Sequence, residues 1–196
     1  MGRKPTITKE QIFEAAWKIL EAEGYAAVNI KTVAKEAGCS TQPVSWLFGN
    51  MGVFRNEFRA YCIGKLWGDI DSKMQGKDPV EAFFETGKNY LSIACDHPNV
   101  FRFLYLEDPG DLFPKGVTII DVVCHPKIIS MMAGEFGRDE ESLSAVVRDT
   151  VIYTHGLATF MLWDMISLTK EEAEKMIYDE GVTKLRAIGI EIGERK

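Results

Sequence analysis

NIKTVAKEAGCSTQPVSWLF, residues 29–48, is the stretch that decides the fold, because it spells two short helices joined by a tight turn. Asn29 is a side-chain acceptor suited to capping a helix, and Ile30, Val33, Ala34 and Ala37 follow at the spacing of one helical face. Gly38 then supplies the left-handed backbone that ends that helix, Cys39 is a small apolar plug, and Ser40 is suited to cap the second helix. In the second helix Val44, Leu47 and Phe48 form an inward face. Thr41, Gln42, Ser45 and Trp46 are left outward, as hydrogen-bonding or stacking groups of the kind that meet base edges in the major groove. Any helical hairpin can carry this apolar pattern, so the stretch alone marks a candidate DNA-reading element.

The flanks build on it. Thr8 and Gln11 form a capping box before a helix whose buried stripe is Ile12, Phe13, Ala16, Ile19 and Leu20, closed by Gly24. The first 48 residues therefore read as three short helices around one small core. Asn50 caps a long fourth helix running through Phe54, Phe58, Tyr61, Leu66 and Ile70 toward Gly76. Beyond it Asp78-Pro79 and His97-Pro98 start further helices, and Asp108-Pro109-Gly110-Asp111 is turn chemistry. A helix over roughly 117–135 is expected, interrupted near His125-Pro126. A long apolar helix follows, with Leu143, Val146, Val147, Val151, Ile152, Leu157, Phe160, Met161 and Ile166. Thr169 opens the last helix, with Gly181 as a soft point in its middle. The expectation is an all-α protein of about nine helices, with a helix-turn-helix domain over 1–49 and a larger helical body over 50–196 for ligand binding and dimerisation.

Composition bounds the function. The hydrophobic share of 46% suits a globular core, and no run approaches the ~18 apolar residues of a membrane span. The N-terminus lacks the apolar run of a secretory signal, so a cytoplasmic protein is expected. Residues 1–60 hold eight Lys or Arg against six Glu, a net of +2, while the remainder holds 15 against 23, a net of −8. A mildly basic head on an acidic body fits a nucleic-acid contact confined to the head.

The helix ending in E-A-E-G-Y, the run V-N-I-K-T-V-A-K-E-A-G-C-S and the step L-F-G-N-M-G-V-F together resemble the TetR family of bacterial transcriptional regulators over residues 8–58. The segment Ile152–Ala158 also looks like a W-x-x-x-H-G motif found late in one subgroup of that family. The resemblance implies a DNA-binding head, a body that binds a small-molecule effector, a homodimer, and repression of a near-palindromic operator relieved by the effector. It implies that Asn29 caps beside a phosphate, that Lys31 lies near the DNA backbone, and that Thr41, Gln42, Pro43, Ser45 and Trp46 face the groove, with Asn50 beside them. Arg3, Lys4 and Lys9 would form a basic arm. Two positions depart from the family pattern: Ser45 stands where a phosphate-binding tyrosine is usual, and Met51 where a lysine usually opens the fourth helix. No charged residue lies between Gly38 and Phe54, so the groove-facing surface relies on amide, hydroxyl, indole and helix-terminus contacts. Trp46 can meet a thymine methyl, a sugar or the neighbouring helix. The alternative function is an all-α small-molecule-binding or partner-binding dimer with weak or lost operator binding.

Trp67, Tyr90, Phe103, Met131, Tyr153, Met161 and Trp163 are the candidates to line an apolar effector pocket, with His155 as its polar group beside Gly156. The two C-terminal helices are expected to pair with a second copy as a four-helix bundle. Enzyme motifs are missing: there is no G-x-S-x-G, no phosphate-binding G-x-x-x-x-G-K-[ST] and no H-E-x-x-H, so no catalytic role and no cofactor are expected. Cys39, Cys62, Cys95 and Cys124 contain no C-x-x-C pair. Cys95 with His97, and Cys124 with His125, are weak candidates for a metal site, as are Cys62 and Cys95 for a redox thiol.

Overall fold

A computed structural model describes residues 7–107, 116–118, 124 and 127–192, and its described elements are all helical. The packing divides it into two units, Met1–Gly68 with His97–Pro114 and Asp69–Asp96 with Lys115–Lys196. Among the described residues no helix is long and apolar enough to cross a membrane.

The first unit begins with α1 (Lys9–Glu23), whose Thr8–Gln11 capping box is formed as the sequence requires. A 3-10 turn over Tyr25–Ala27 leads to α2 (Ile30–Glu36) and α3 (Thr41–Phe48). Asn29 accepts from the backbone N–H groups of Lys31 and Thr32, and Thr32 returns the bond to the Asn29 N–H. Gly38 has φ +67°, the left-handed turn conformation expected of it. Ser40 has the extended backbone of an N-cap, yet makes no side-chain cap bond. The reason is local: Pro43 occupies the third helical position, where a capping hydroxyl would normally find its N–H donor.

α4 (Met51–Trp67) is capped by Asn50 through the Gly52 and Val53 N–H groups. It is shorter than the expected helix. The chain breaks at Gly68–Asp69, and the continuation is a separate short helix, α5 (Ile70–Met74). The break coincides with the boundary between units. The first unit is completed from far away in sequence by α7 (Pro98–Phe101), which runs on as a π-helical turn over Arg102–Leu106. Val100, Phe103 and Leu104 are fully buried in the same core as Ile12, Leu20, Val44, Phe54 and Phe58.

The second unit packs α6 (Pro79–Asp96), α9 (Glu140–Leu162) and α10 (Lys170–Ala187) against one another, with α8 (Ile128–Phe136) alongside α6 and α9. Asp78 caps α6 through the Val80 and Glu81 N–H groups, and the Thr169–Glu172 box starts α10. The His125-Pro126 interruption lies outside the described residues, and so does most of 117–127. Gly181 is a close approach rather than a soft point. A Cβ there would stand 2.7 Å from the ring of Phe84, so only glycine admits this helix crossing.

Gly181→Ala should therefore destabilise the chain. Overpacking of a buried ring costs about 1–3 kcal/mol, more than the ~1 kcal/mol of helix propensity that alanine returns. Gly64→Ala, where an added Cβ meets nothing within 4 Å, should instead be neutral or stabilising. Urea unfolding of the two variants side by side checks both signs.

Candidate functional site

The outward face of α3 is built by its inward one. Val44 and Phe48 are buried, and Phe48 packs on Phe13 at 5.3 Å and on Phe54 at 5.0 Å between ring centroids. This fixes the rotation of the helix, so that Thr41, Gln42, Ser45 and Trp46 all stand in solvent. Trp46 is 91% exposed, which removes packing on a neighbouring helix from the roles open to it. Pro43 and Leu47 are half-buried at the edges of this face, and Asn29 and Lys31 are exposed on the α2 side. Asn50 is exposed too, though its side-chain oxygen is committed to capping α4.

Met51 is half-buried against the head core, so the residue at the usual lysine position serves packing. Lys9 does not extend a basic arm: its ammonium pairs with Glu57 at 2.6 Å and sits 5.0 Å from the Phe48 ring centroid. Lys18 pairs with Glu36 at 3.3 Å and Lys65 with Glu14 at 2.8 Å. Lys65 and the Tyr61 hydroxyl hold the Glu14 carboxyl below its ordinary range. Three lysines of the unit are thus paired with its own carboxylates. Arg3 and Lys4 lie outside the described residues.

Behind this face, Arg59 is 2% exposed, donates to the Phe103 carbonyl at 3.1 Å and stacks over the Phe103 ring. Phe103 also stacks on Tyr25 at 4.3 Å. Phe103 is therefore a core residue of the head, not a pocket wall, and Trp67 donates its indole N–H to the Tyr105 hydroxyl in the same unit. The sequence offered no sign of this, because a stripe of aromatics looks alike in a core and in a pocket.

The second unit holds a small cavity lined by Phe83, Phe84, Thr86, Gly87 and Tyr90 of α6, Thr150, Val151 and Thr154 of α9, and Ile177 of α10. Its void is about 20 Å³, room for about a single water, whereas ligand pockets run to about 300–1,000 Å³. As it stands the cavity is too small for such a ligand. Of the candidate lining residues only Tyr90 reaches it, and its hydroxyl lies 2.7 Å from His155 Nδ1. Met131 and Trp163 are exposed, and Tyr153 and Met161 are half-buried outside the lining. Phe83, Phe84 and the three threonines escaped the sequence reading, since each threonine hydroxyl donates to a carbonyl of its own helix and so reads as a helix interior.

Among the described residues no group of three His, Cys, Asp or Glu could hold a metal ion. Burial pushes the Cys62 thiol well up, and desolvation raises that of Cys95, so neither is activated as a thiolate. His97 pairs with Glu21 of α1 rather than with Cys95.

A three-helix unit with a capped hairpin and an exposed, uncharged second helix has the layout of a helix-turn-helix head. Residues 12–55 match the family model of bacterial regulatory proteins, tetR family. Among solved structures, the chain is similar to a protein from Rhodococcus sp. assigned as a TetR-family transcriptional regulator. The TM-score is 0.62 at 13% identity, over 90% of this chain and 98% of that one. It is also similar to a TetR transcriptional regulator from Rhodococcus sp. RHA1, with a TM-score of 0.52 at 16% identity, over 93% and 95%. At these identities the likeness is one of fold. No curated protein matches the chain by sequence.

His155 gives a pH test of the second unit. Burial holds its imidazole below the ordinary pKa of about 6.5, so the unfolded chain binds the proton first as pH falls. Its contribution is lost from about pH 6.5 downward and fully gone below the folded-state value. The stability difference between wild type and His155→Gln should shrink over that window. Urea titrations at stepped pH read this directly, and a constant difference would show that His155 is not buried in its neutral form.

Proposed function

We propose that the chain is a ligand-responsive repressor that acts as a homodimer on a near-palindromic operator, with α3 of each head in successive major grooves about one helical turn apart. The observation that carries the DNA part is the face of α3, where Thr41, Gln42, Ser45 and Trp46 are all exposed while Val44 and Phe48 hold the helix down.

The homodimer rests on α9. Ile152, Phe160 and Trp163 are 60%, 49% and 55% exposed, and Gly156 lies between them with open space where a Cβ would be. These positions share one helical face, and the glycine lets a partner helix approach closely. The outward side of α10 is charged, with Glu171, Lys175, Asp179 and Arg186, so the apolar part of the interface comes from α9 and from Met165 and Ile166 just beyond it.

Ligand response rests on this small cavity. An effector would have to open it, moving α6 or α10, and α6 continues at Asp96–His97 directly into the α7 segment of the head's core. A ligand that binds better to the opened body shifts the population away from the DNA-competent one. α4, which leaves the head at Gly68, is a second lever. The chain acts on this reading as a binder, with no catalytic step.

The second reading, a ligand-binding or partner-binding dimer that has lost operator binding, is favoured by Ser45, by the packed Met51 and by the absence of charge from Gly38 to Phe54. Binding of the purified protein to DNA from its own upstream region separates the two. Repression predicts a sequence-selective complex that Gln42→Ala weakens, with a log K versus log salt slope below that of about six phosphate contacts per head. No selective complex at low salt leaves the second reading standing. Phe160→Glu should turn dimers into monomers in analytical ultracentrifugation, and an unchanged dimer would move the interface off α9.

A further inference from the structure

We propose that Trp46 recognises the 5-methyl group of thymine, and that together with Gln42 it confines the middle of each half-site to A·T pairs. The inference rests on the reading of α3 as the DNA-reading helix.

Gln42, Ser45 and Trp46 stand at i, i+3 and i+4, so they share one face, and Trp46 lies one helical turn beyond Gln42 along it. All three are exposed, and Trp46 at 91% leaves nearly its whole indole uncovered by protein. An indole offers one N–H donor and otherwise an apolar surface. In the major groove the base pairs present acceptors, amino donors and a single kind of apolar group, the thymine methyl. An exposed apolar side chain on the reading face therefore has one group among the base edges that it can match. Over a G·C pair the same ring would cover the guanine O6 and cytosine N4 without pairing them, a desolvation that goes uncompensated.

The rest of the face points the same way. Arginine and lysine are the side chains that read guanine most often, and neither occurs between Gly38 and Phe54. Glutamine pairs through two bonds with adenine N6 and N7. Gln42 and Trp46, one turn apart, thus ask for an adenine and a thymine at neighbouring steps.

The test starts from duplexes selected out of a randomised library by the purified full chain. In one selected duplex each thymine is replaced in turn by deoxyuridine, which keeps the pairing and removes only the methyl. One position per half-site should lose about fourfold in affinity, the worth of burying about one methyl. Trp46→Ala should bind the thymine and uracil duplexes alike at that position while keeping the wild-type salt slope, which separates methyl contact from any change in DNA shape. If Trp46→Ala binds too weakly to measure, Trp46→Leu replaces it. A smaller or vanished thymine-to-uracil ratio then supports the proposal, and an unchanged ratio overturns it. Wild type binding every uracil duplex as it binds thymine also overturns it. Failure to enrich any duplex removes the DNA-reading assignment itself, and the methyl reading with it.

Discussion

The ring of Phe13 is the contact on which the head depends. It lies within 5.2–5.9 Å of the rings of Phe48, Phe54, Phe58 and Tyr61, and so joins α1 to the end of α3 and to two turns of α4. α3 is eight residues long, below the ~12–15 at which a helix is even marginal alone in water. Its existence and its rotation come from Val44 and Phe48 being held in this aromatic cluster. The same cluster extends through Phe58 to Phe103 at 5.7 Å, which brings in a segment some forty-five residues further along the chain. The head is thus a tertiary object, although its motif is local.

That difference explains what was legible. Caps and turns are decided by neighbours in sequence, and Thr8, Asn29, Gly38, Asn50 and Thr169 all do in the structure what their chemistry requires. Ser40 failed because a second local rule, the missing N–H of Pro43, overrode the first. Phe103 and Trp67 were misplaced for another reason: periodicity says that a residue is buried but not against what. Gly181 looked weak by helix propensity and proved to be demanded by Phe84 on another helix. The division of the expected fourth helix at Gly68 was equally invisible, since an apolar stripe continued across it.

The second unit shows the same economy of polar groups. Thr86, Thr150 and Thr154 stand at the cavity with their hydroxyl protons already donated within their own helices, so none of these donors is left unsatisfied there. An opened cavity would offer a ligand mainly aromatic surface and hydroxyl lone pairs, with the Tyr90–His155 pair at its edge. The imidazole is kept neutral there by burial, so it favours an uncharged hydrogen-bonding partner over an anion.

Charge placement in the head bears on both affinity and selectivity for a polyanion. Lys9, Lys18 and Lys65 are tied to Glu57, Glu36 and Glu14 within the unit, so these three ammonium groups are engaged inside it. Non-specific DNA binding is almost wholly the pull of cations on phosphates, whereas contacts to base edges need close fit and no net charge. On the proposed reading of α3, an uncharged face would lower non-specific affinity more than specific affinity. The ratio between the two, which decides occupancy among the many competing sites of a genome, rises as the electrostatic share falls. On that reading, Ser45 and Met51 in place of a tyrosine and a lysine anchor would lower absolute affinity without requiring that selectivity be lost.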